Sequence, residues 1–401
     1  MKKVTVLGGG VSGKAAALLA RKSGDEPLIL NDGGDVSLPP DSRLIVASPG
    51  VHPLRSALYK AAAASGIEFI GEMEYAFRNF KGRILAITGT NGKTTTTELT
   101  LFLLQKAGID AVAAGNIGLP LSEVAAAEKQ PRVAVVEVSS FQLELIDTFR
   151  PEAAVLLNLE SDHEDRYAGG FEEYCAVKKK IFDRVTPENQ IWGLSFPEKI
   201  HRVNYSGDML TIDGQEILDV SETSLSAPHN RENLAAAVEL FLRVVPEKVE
   251  ILPRVVRDFR CGKHRIEFFY EGQGVRFYDD SKGTNPSAVA AAVNSVPGPV
   301  VLLAGGLDKG MDFSVLAEVA SKVRSVVLYG QCQEPIARVF RRVGVPVSQC
   351  GTDFENAIDT AVALAHKGDT VLLSPGCASM DMFKNYQERG EKFKEIVRKK
   401  F

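Results

Sequence analysis

The chain has 401 residues, a formal net charge of -4, 45% hydrophobic residues and 24% charged residues. This acidic balance argues against a general affinity for nucleic acid, and no apolar run is long enough to span a bilayer. The length exceeds that of one usual hydrophobic core and predicts three domains, over residues 1–82, 83–262 and 263–401.

The N-terminus and the cysteines indicate a cytoplasmic protein. Met1-Lys2-Lys3 passes directly into an apolar strand and lacks the pattern of a secretory signal. The five cysteines are odd in number and scattered, without C-x-x-C spacing. We therefore expect reduced thiols, with neither a disulfide framework nor a thiolate zinc site.

The first predicted domain begins as a βαβ unit. It has a strand over residues 4–7, a glycine turn, a helix over 15–21 and a strand over 27–30, and further strands follow near 45–47 and 67–72. Gly8, Gly10 and Gly13 fit G-x-G-x-x-G, and Asp32 follows about 20 residues later. This pattern predicts a Rossmann-like module that can hold a pyrophosphate. It formally suggests NAD, although nothing downstream supplies hydride chemistry.

The second predicted domain opens with a phosphate-binding loop. An apolar strand ends in Thr88-Gly89-Thr90-Asn91-Gly92-Lys93-Thr94 and then a helix begins. The loop is one residue shorter between its glycines than G-x-x-x-x-G-K-[ST]. The glycines still allow tight backbone approach to an anion, the helix N-terminus attracts negative charge, Lys93 adds a cation and Thr94 can reach Mg²⁺. We therefore predict that the chain uses ATP.

The remaining strands predict the fold class. Strands over 133–138 and 155–159 alternate with helices in the second domain, as do strands over 300–303, 326–329 and 371–373 in the third. The expected fold is α/β, with three Rossmann-like modules, the central one a P-loop-type ATP-binding parallel sheet.

Two polar positions at strand ends are candidate metal ligands. Glu137 interrupts an apolar strand, so it is either a Mg²⁺ ligand or a structural glutamate that is salt-bridged or lies at the rim. His163 lies in the polar segment from Asn158 to Arg166, at the end of a strand, and is either part of a site or a surface residue.

The polar clusters together resemble the Mur ligases of peptidoglycan synthesis, over the whole chain. The matching segments are the phosphate loop, Gly115-Asn116-Ile117-Gly118, Glu137-Val138-Ser139-Ser140-Phe141-Gln142-Leu143, Asp162-His163-Glu164-Asp165-Arg166, His229-Asn230-Arg231-Glu232-Asn233 and Asp279-Asp280-Ser281-Lys282-Gly283-Thr284-Asn285. Asp280-Ser281-Lys282 and the segment from Ser374 to Tyr386 are similar to the D-glutamate-adding branch of the family.

This resemblance implies an ATP-dependent ligase that adds D-glutamate to UDP-N-acetylmuramoyl-L-alanine. In the family, the γ-phosphoryl group moves to the L-alanine carboxylate, and the D-glutamate amine then attacks the acyl phosphate. The protein mainly has to position three anionic partners and neutralise their charge.

The resemblance also implies roles for residues of the second domain. Lys93 would bind the β- and γ-phosphates, and Asn116 would face the reacting carboxylate. Two Mg²⁺ ions are implied, with Thr94, Glu137, His163 and Lys178 as ligands, and Lys178 falls where the family carries a carbamylated lysine. The ATP loop would comprise Gly89, Thr90, Asn91, Gly92, Lys93, Thr94 and Thr95.

Further implied contacts lie outside the phosphate loop. Asn233 would contact adenine, although an Asn there could also cap a helix. Arg265 and Asp280 would reach the nucleotide. The uridine diphosphate would be held by Ser12, Asp32 and Ser48, and Asn31 competes with Asp32 for the aligned position. The D-glutamate carboxylates would be held by Lys282, Thr284, Lys309, Ser379 and Tyr386.

Two other classes of function remain open from the sequence. A dehydrogenase would use Gly8 to Asp32, but it leaves Lys93, Glu137 and His163 without a role. A regulator would bind a UDP-sugar or nucleotide without turning over ATP. For the ligase, we expect small-molecule substrates, a monomeric state and neither nucleic-acid nor membrane partners.

Overall fold

The computed structural model describes residues 2–33, 37–162, 166–197, 202–260 and 262–400. The chain forms two compact units, Met1–Phe259 and Arg260–Phe401. The first unit contains two separate parallel sheets, one on each side of residue 82 in sequence. The further division of this unit into two domains at that residue stays a prediction.

The first sheet is parallel, with the strand order β2-β1-β3-β4. Its elements are β1 (Lys3–Leu7), α1 (Val11–Lys22), β2 (Glu26–Leu30), β3 (Ser42–Ala47), α2 (Ala57–Ala64), β4 (Phe69–Gly71) and α3 (Glu72–Phe77). The predicted βαβ start is confirmed. The strand predicted over 67–72 is only three residues long, because α3 begins at Glu72.

The second sheet is also parallel, with the order β6-β7-β5-β8-β9. Its elements are β5 (Arg83–Thr88), α4 (Lys93–Lys106), β6 (Ala111–Gly115), α5 (Leu121–Ala125), β7 (Val133–Glu137), α6 (Ser140–Leu143), β8 (Ala153–Leu156), α7 (Gly170–Lys179) and β9 (Gln190–Trp192). The strand predicted over 155–159 begins and ends earlier in the structure. Because the strands are parallel, the loops that follow β6, β7, β5 and β8 meet at the carboxyl edge of the sheet, with the loop after the central strand β5 between the others.

The first unit ends with a small antiparallel sheet and two helices. These are β10 (Val203–Ser206), β11 (Met209–Ile212), β12 (Gln215–Asp219), α8 (Pro228–Val244) and α9 (Leu252–Asp258). The two hairpin turns are Gly207-Asp208 and Asp213-Gly214, and both residues of the second turn have positive φ. This sheet was not predicted, although its turn residues are typical of hairpins.

The second unit contains a six-stranded sheet of order β13-β14-β18-β15-β16-β17. Its elements are β13 (Glu267–Gly272), β14 (Val275–Asp279), α10 (Pro286–Ser295), β15 (Val300–Gly305), β16 (Val323–Tyr329), α11 (Gln333–Arg342), β17 (Val347–Gln349), α12 (Phe354–Leu364), β18 (Thr370–Gly376) and α13 (Tyr386–Lys400). The strands predicted over 300–303, 326–329 and 371–373 are confirmed. The antiparallel edge strand β13, joined to β14 by a Gln273-Gly274 turn, was not predicted.

The structure confirms the predicted α/β class, built from several parallel sheets. Apolar residues line both faces of the central strands, as expected where helices cover a parallel sheet. Within the described ranges, no helix combines the length and hydrophobicity needed to cross a membrane.

Candidate active site

The loop between β5 and α4 has the shape that its glycines predict. Gly92 has a φ of 83°, and a Cβ there would lie 2.2 Å from the Asn233 side-chain oxygen. Gly89 has a φ of 151°, and its Cβ would lie 2.9 Å from Leu157. Side chains at these two positions would collide or strain the backbone, so the loop requires glycine at both.

Asn158, which follows β8, fixes this loop from the neighbouring strand. Its side-chain oxygen accepts hydrogen bonds from the backbone N–H groups of Thr90 (3.1 Å) and Asn91 (2.8 Å). The Asn91 side chain donates to the Glu160 carboxylate at 2.8 Å. The sequence predicts a site in the segment that contains Asn158 and Glu160, at the carboxyl end of a strand, but it indicates no individual role for either residue.

Two lysine amines converge on the loop backbone. The Nζ atoms of Lys93 and Lys178 both donate to the Gly89 carbonyl oxygen at 2.8 Å, and Lys93 also donates to the Thr90 carbonyl at 2.7 Å. Lys178 lies on α7, is only 2% exposed and has its Nζ 4.8 Å from the centre of the Tyr174 ring. Burial, and secondarily the charge of Lys93, hold the pKa of Lys178 well below its usual value.

Glu137, at the end of β7, joins the loop to the next strand. Its carboxylate accepts hydrogen bonds from the Thr94 hydroxyl and the Asn116 side-chain amide, both at 2.7 Å. It is 2% exposed, so it is not a rim glutamate. The Thr94 hydroxyl and the Glu137 carboxylate are oxygen ligands of the kind that Mg²⁺ prefers. His163, the other proposed metal ligand, lies outside the described residues.

Asn233 lies inside α8 and beside the phosphate loop. Because α8 begins at Pro228, Asn233 does not cap the helix, which removes that alternative. Its side-chain oxygen accepts a hydrogen bond from the Thr96 hydroxyl at 3.3 Å, and its amide donates to Asn230 at 3.3 Å. Thr95, in the first turn of α4, is buried.

The glycine turn of the first sheet brings Ser48 and Asn31 together with Gly8 and Gly9. The Ser48 hydroxyl donates to the Gly8 carbonyl at 3.0 Å, and the Gly9 N–H donates to the Asn31 side-chain oxygen at 2.7 Å. Ser12 follows in the first turn of α1.

Asp32 has different partners from Asn31. One of its carboxylate oxygens accepts hydrogen bonds from the Ser56 hydroxyl (2.9 Å) and the Leu58 N–H (3.4 Å). The structure thus places Asn31, and not Asp32, in contact with the glycine turn.

In the second unit, Asp280 and Arg265 lie on adjoining segments. The Asp280 carboxylate is buried and accepts hydrogen bonds from the Ser374 hydroxyl (2.7 Å) and the Ile266 N–H (3.3 Å). Burial raises the pKa of Asp280 to about 7, although these hydrogen bonds and the charge of Arg265 oppose the rise.

The residues proposed for D-glutamate lie on four segments of the second unit. Lys282 has its Nζ 5.1 Å from the centre of the Tyr386 ring. Thr284 directly precedes Asn285, the N-cap of α10. Ser379 is buried and Lys309 is exposed; their segments are joined by a hydrogen bond from the Leu307 N–H to the Ala378 carbonyl at 2.8 Å.

Arg389, on α13, ties two of these segments together, a role that the sequence analysis missed. Its guanidinium donates to the Ser281 hydroxyl (2.9 Å), the Ser281 carbonyl (2.7 Å) and the Cys377 carbonyl (3.1 Å), and it is fully buried. The contact spans 108 residues of sequence, so no local pattern could indicate it.

Comparison with known proteins shows two domain matches. Residues 87–194 match the Mur ligase middle domain, and residues 264–377 match the Mur ligase glutamate ligase domain. The chain is 39% identical over 380 residues to the UDP-N-acetylmuramoylalanine--D-glutamate ligase of Caldanaerobacter subterraneus subsp. tengcongensis, covering 88% of this chain and 83% of that protein. It is 37% identical over 447 residues to the enzyme of the same name from Acidobacterium capsulatum, covering 99% of this chain and 96% of that one.

A solved structure shares the fold. The UDP-N-acetylmuramate-alanine ligase of Thermotoga maritima aligns over 100% of both chains with a TM-score of 0.64 and 15% identity. At that identity the similarity concerns the architecture alone.

Proposed function

The chain belongs to the Mur ligase family, and we propose that it forms the amide bond between UDP-N-acetylmuramoyl-L-alanine and D-glutamate, converting ATP to ADP and phosphate. The observation that carries this proposal is the convergence of Lys93, Thr94, Asn116, Glu137 and Lys178 at one edge of the central sheet. A cation, metal-binding oxygens and an amide donor are the groups that phosphoryl transfer to a carboxylate requires.

Each of these groups has a part in the proposed reaction. The Lys93 ammonium would exchange its backbone partners for the β- and γ-phosphates and neutralise the charge that builds up on them. Asn116, held by Glu137, would direct its amide toward the L-alanine carboxylate that receives the phosphoryl group. The acyl phosphate has a better leaving group than the free carboxylate, so the D-glutamate amine can displace phosphate and form the amide.

The oxygen donors fit the Mg²⁺ that the family implies. Thr94 and Glu137 would hold one ion, and His163 with a modified Lys178 would serve a second. Bound Mg²⁺ would neutralise phosphate charge. The Thr94 hydroxyl and the Glu137 carboxylate are already hydrogen-bonded to each other, which keeps both oxygens at the loop before a ligand arrives.

Lys178 suits the carbamate proposed for it. Because burial lowers the pKa of this amine, its neutral form can attack CO₂; the new N–C bond gives a carbamate, and one proton leaves to solvent. We expect intact-protein mass spectra or ¹³C NMR with labelled bicarbonate to detect one adduct that is absent from Lys178→Ala.

Lys178→Ala should also lose activity, roughly a hundredfold or more, that added short carboxylic acids partly restore. Lys179→Ala is the matched control, since Lys179 neighbours Lys178 but is exposed. An unmodified Lys178, or no rescue by any acid, would count against the carbamate and leave the ligase proposal standing.

The other ligands are assigned to polar groups outside the central loop. We propose that Ser12, Ser48 and the Asn31–Asp32 segment hold the uridine diphosphate, and that Asn233 contacts adenine. Arg265 and Asp280 would contact the nucleotide. D-Glutamate would be held by Lys282, Thr284, Lys309, Ser379 and Tyr386. We further propose a cytoplasmic monomer.

Phosphate release tests the function directly. The purified chain is supplied with ATP and Mg²⁺, with UDP-N-acetylmuramoyl-L-alanine and D-glutamate given together and each omitted in turn. We expect release that requires both, with a product heavier by one glutamyl residue. Release with a different amino acid would change the substrate assignment, and tight binding without turnover would favour the regulator instead.

A further inference from the structure

The segment that carries Arg265 has an unusual backbone. His264 and Ile266, on either side of Arg265, have φ angles of 63° and 47°. Left-handed backbone is uncommon for residues other than glycine, and for a β-branched residue such as Ile266 it is a marked outlier. Such a turn persists only if the surrounding structure holds it, so its supports determine where Arg265 points.

Besides Asp280, which accepts the Ile266 N–H at 3.3 Å, two carboxylates hold this turn. The Glu267 carboxylate accepts a hydrogen bond from the His264 N–H at 2.8 Å, and the Asp279 carboxylate lies 2.6 Å from the His264 Nδ1. Asp279 is fully buried and also accepts the Ser281 N–H at 2.9 Å. It therefore links the Arg265 turn to the segment after β14 that contains Asp280.

Lys394, on α13, supplies the positive charge between these two carboxylates. Its Nζ lies 2.6 Å from Glu267 and 3.4 Å from Asp279, and the side chain is only 4% exposed. A third carboxylate, that of Glu391, lies 3.6 Å from the Lys394 Nζ and 3.6 Å from the His264 Nε2 but is 56% exposed. Asp279, which is fully buried, thus depends on Lys394 for charge compensation, since uncompensated charges inside a protein are strongly destabilising, whereas Glu267 is 27% exposed.

The same observations argue against a metal ion in this cluster. His264, Glu267 and Asp279 have ligand atoms close enough to hold a cation. The Lys394 ammonium already forms a hydrogen bond with Glu267 and an ion pair with Asp279. Burial alone would lower the pKa of Lys394, but the hydrogen bond to Glu267 and the charge of Asp279 outweigh burial and raise this pKa. The cation of this cluster is therefore a side chain.

Close packing makes the contact possible. A Cβ at Gly390 would lie 2.2 Å from the His264 Nδ1 and 2.7 Å from Asp279. Glycine at this position lets α13 approach the turn closely enough for Lys394, one helical turn later, to reach both acids.

We propose that Lys394 is a positioning residue for the nucleotide site, acting through Glu267 and Asp279 to hold the turn that presents Arg265. The inference rests on the nucleotide contact proposed above for Arg265. It adds to that proposal the residue whose charge keeps the contact in place.

Lys394→Met tests this role, because methionine keeps most of the side-chain length and removes the charge. We expect the KM for ATP, and the Kd for a non-hydrolysable ATP analogue with Mg²⁺, to rise about tenfold, with kcat within about twofold of wild type. Lys392→Met is the matched control: it is on the same helix but exposed, and it should bind the analogue like wild type.

The double variant Lys394→Met with Asp279→Asn separates charge compensation from packing, because Asp279 is the fully buried acid beside Lys394. An asparagine at position 279 still offers an oxygen to the Ser281 N–H but no longer carries a charge that needs Lys394. Analogue binding should therefore recover toward wild type, whereas a packing defect would persist or worsen. If the single variant does not fold, binding of the ATP analogue by the double variant still tests the proposal.

Unchanged analogue binding in folded Lys394→Met, or no recovery in the folded double variant, would overturn the proposal. Failure of the ligase assignment would look different, because wild type would then bind the analogue and fail to make the glutamyl product. In that case the comparison of Kd values among the variants still decides the role of Lys394.

Discussion

The phosphate loop of the first unit and the Arg265 turn of the second unit both use uncommon backbone conformations to present a basic side chain, but they are held differently. In the loop, Gly89 and Gly92 adopt conformations that glycine allows, and Asn158 fixes the loop from the neighbouring strand. In the turn, His264 and Ile266 have positive φ without being glycine, and the carboxylates of Glu267 and the fully buried Asp279 hold the turn in place. The difference teaches that backbone strain can be avoided by glycine or balanced by electrostatics.

Lys93→Ala should have the largest effect and test the first half of this comparison. It removes the loop's cation and little of the core, so ATP turnover should fall at least about a thousandfold while the fold stays near wild type. Phosphate release and circular dichroism measure the two effects. Lys106→Ala, an exposed lysine at the other end of α4, is the control. Retained turnover in Lys93→Ala would refute the role of this lysine.

Gly390→Ala should break the support of the Arg265 turn. In an exposed helix, alanine would be the more favourable residue by about 1 kcal/mol. Here the added Cβ meets His264 and Asp279, so we expect a net loss of about 3 kcal/mol in the free energy of unfolding. Urea denaturation of the full chain measures it, with the exposed neighbour Lys392→Ala as control. A neutral or stabilising effect would show that α13 does not press on the turn.

Asp280→Asn should change the pH dependence of stability. Burial raises the pKa of Asp280 to about 7, from a usual value of 3.8, so the folded state keeps a proton that the unfolded chain has already released. This group's contribution to stability is therefore full below about pH 4 and falls as the pH rises through about 7.

Asparagine resembles the protonated acid and lacks this titration. Relative to wild type, Asp280→Asn should gain about 3 kcal/mol in free energy of unfolding between pH 4 and pH 7. Urea denaturation of both proteins across that range measures the difference. A difference that is constant with pH would show that Asp280 stays ionised in the folded state.

The same difference between local and distant contacts explains which features could be predicted from the sequence alone. Local patterns predicted the phosphate loop, the βαβ start and the main buried strands, because glycine spacing and apolar runs act over a few residues. The sheet formed by β10, β11 and β12 and the edge strand β13 were missed, although Asp213-Gly214 and Gln273-Gly274 are recognisable turn residues.

The contacts of Asn158 and Lys394 were not predicted for a different reason, which is the distance in sequence between the partners. Asn158 bonds to a loop 68 residues earlier, and Lys394 bonds to Glu267 across 127 residues. Charges recur at helical spacing along the helix that carries Lys394, a pattern that is typical of a solvated face. Only the close approach of α13 to the turn shows that one of those lysines is buried.

The carbonyl oxygen of Gly89 has two donors where one would satisfy it, the amines of Lys93 and Lys178. When an anion draws Lys93 away, the buried oxygen keeps a partner in Lys178, whose nitrogen retains one N–H even as a carbamate. The Gly89 carbonyl therefore has a hydrogen-bond partner whether the loop is filled or empty. An enzyme that must release ADP after every cycle benefits from such a reversible exchange of hydrogen-bond partners.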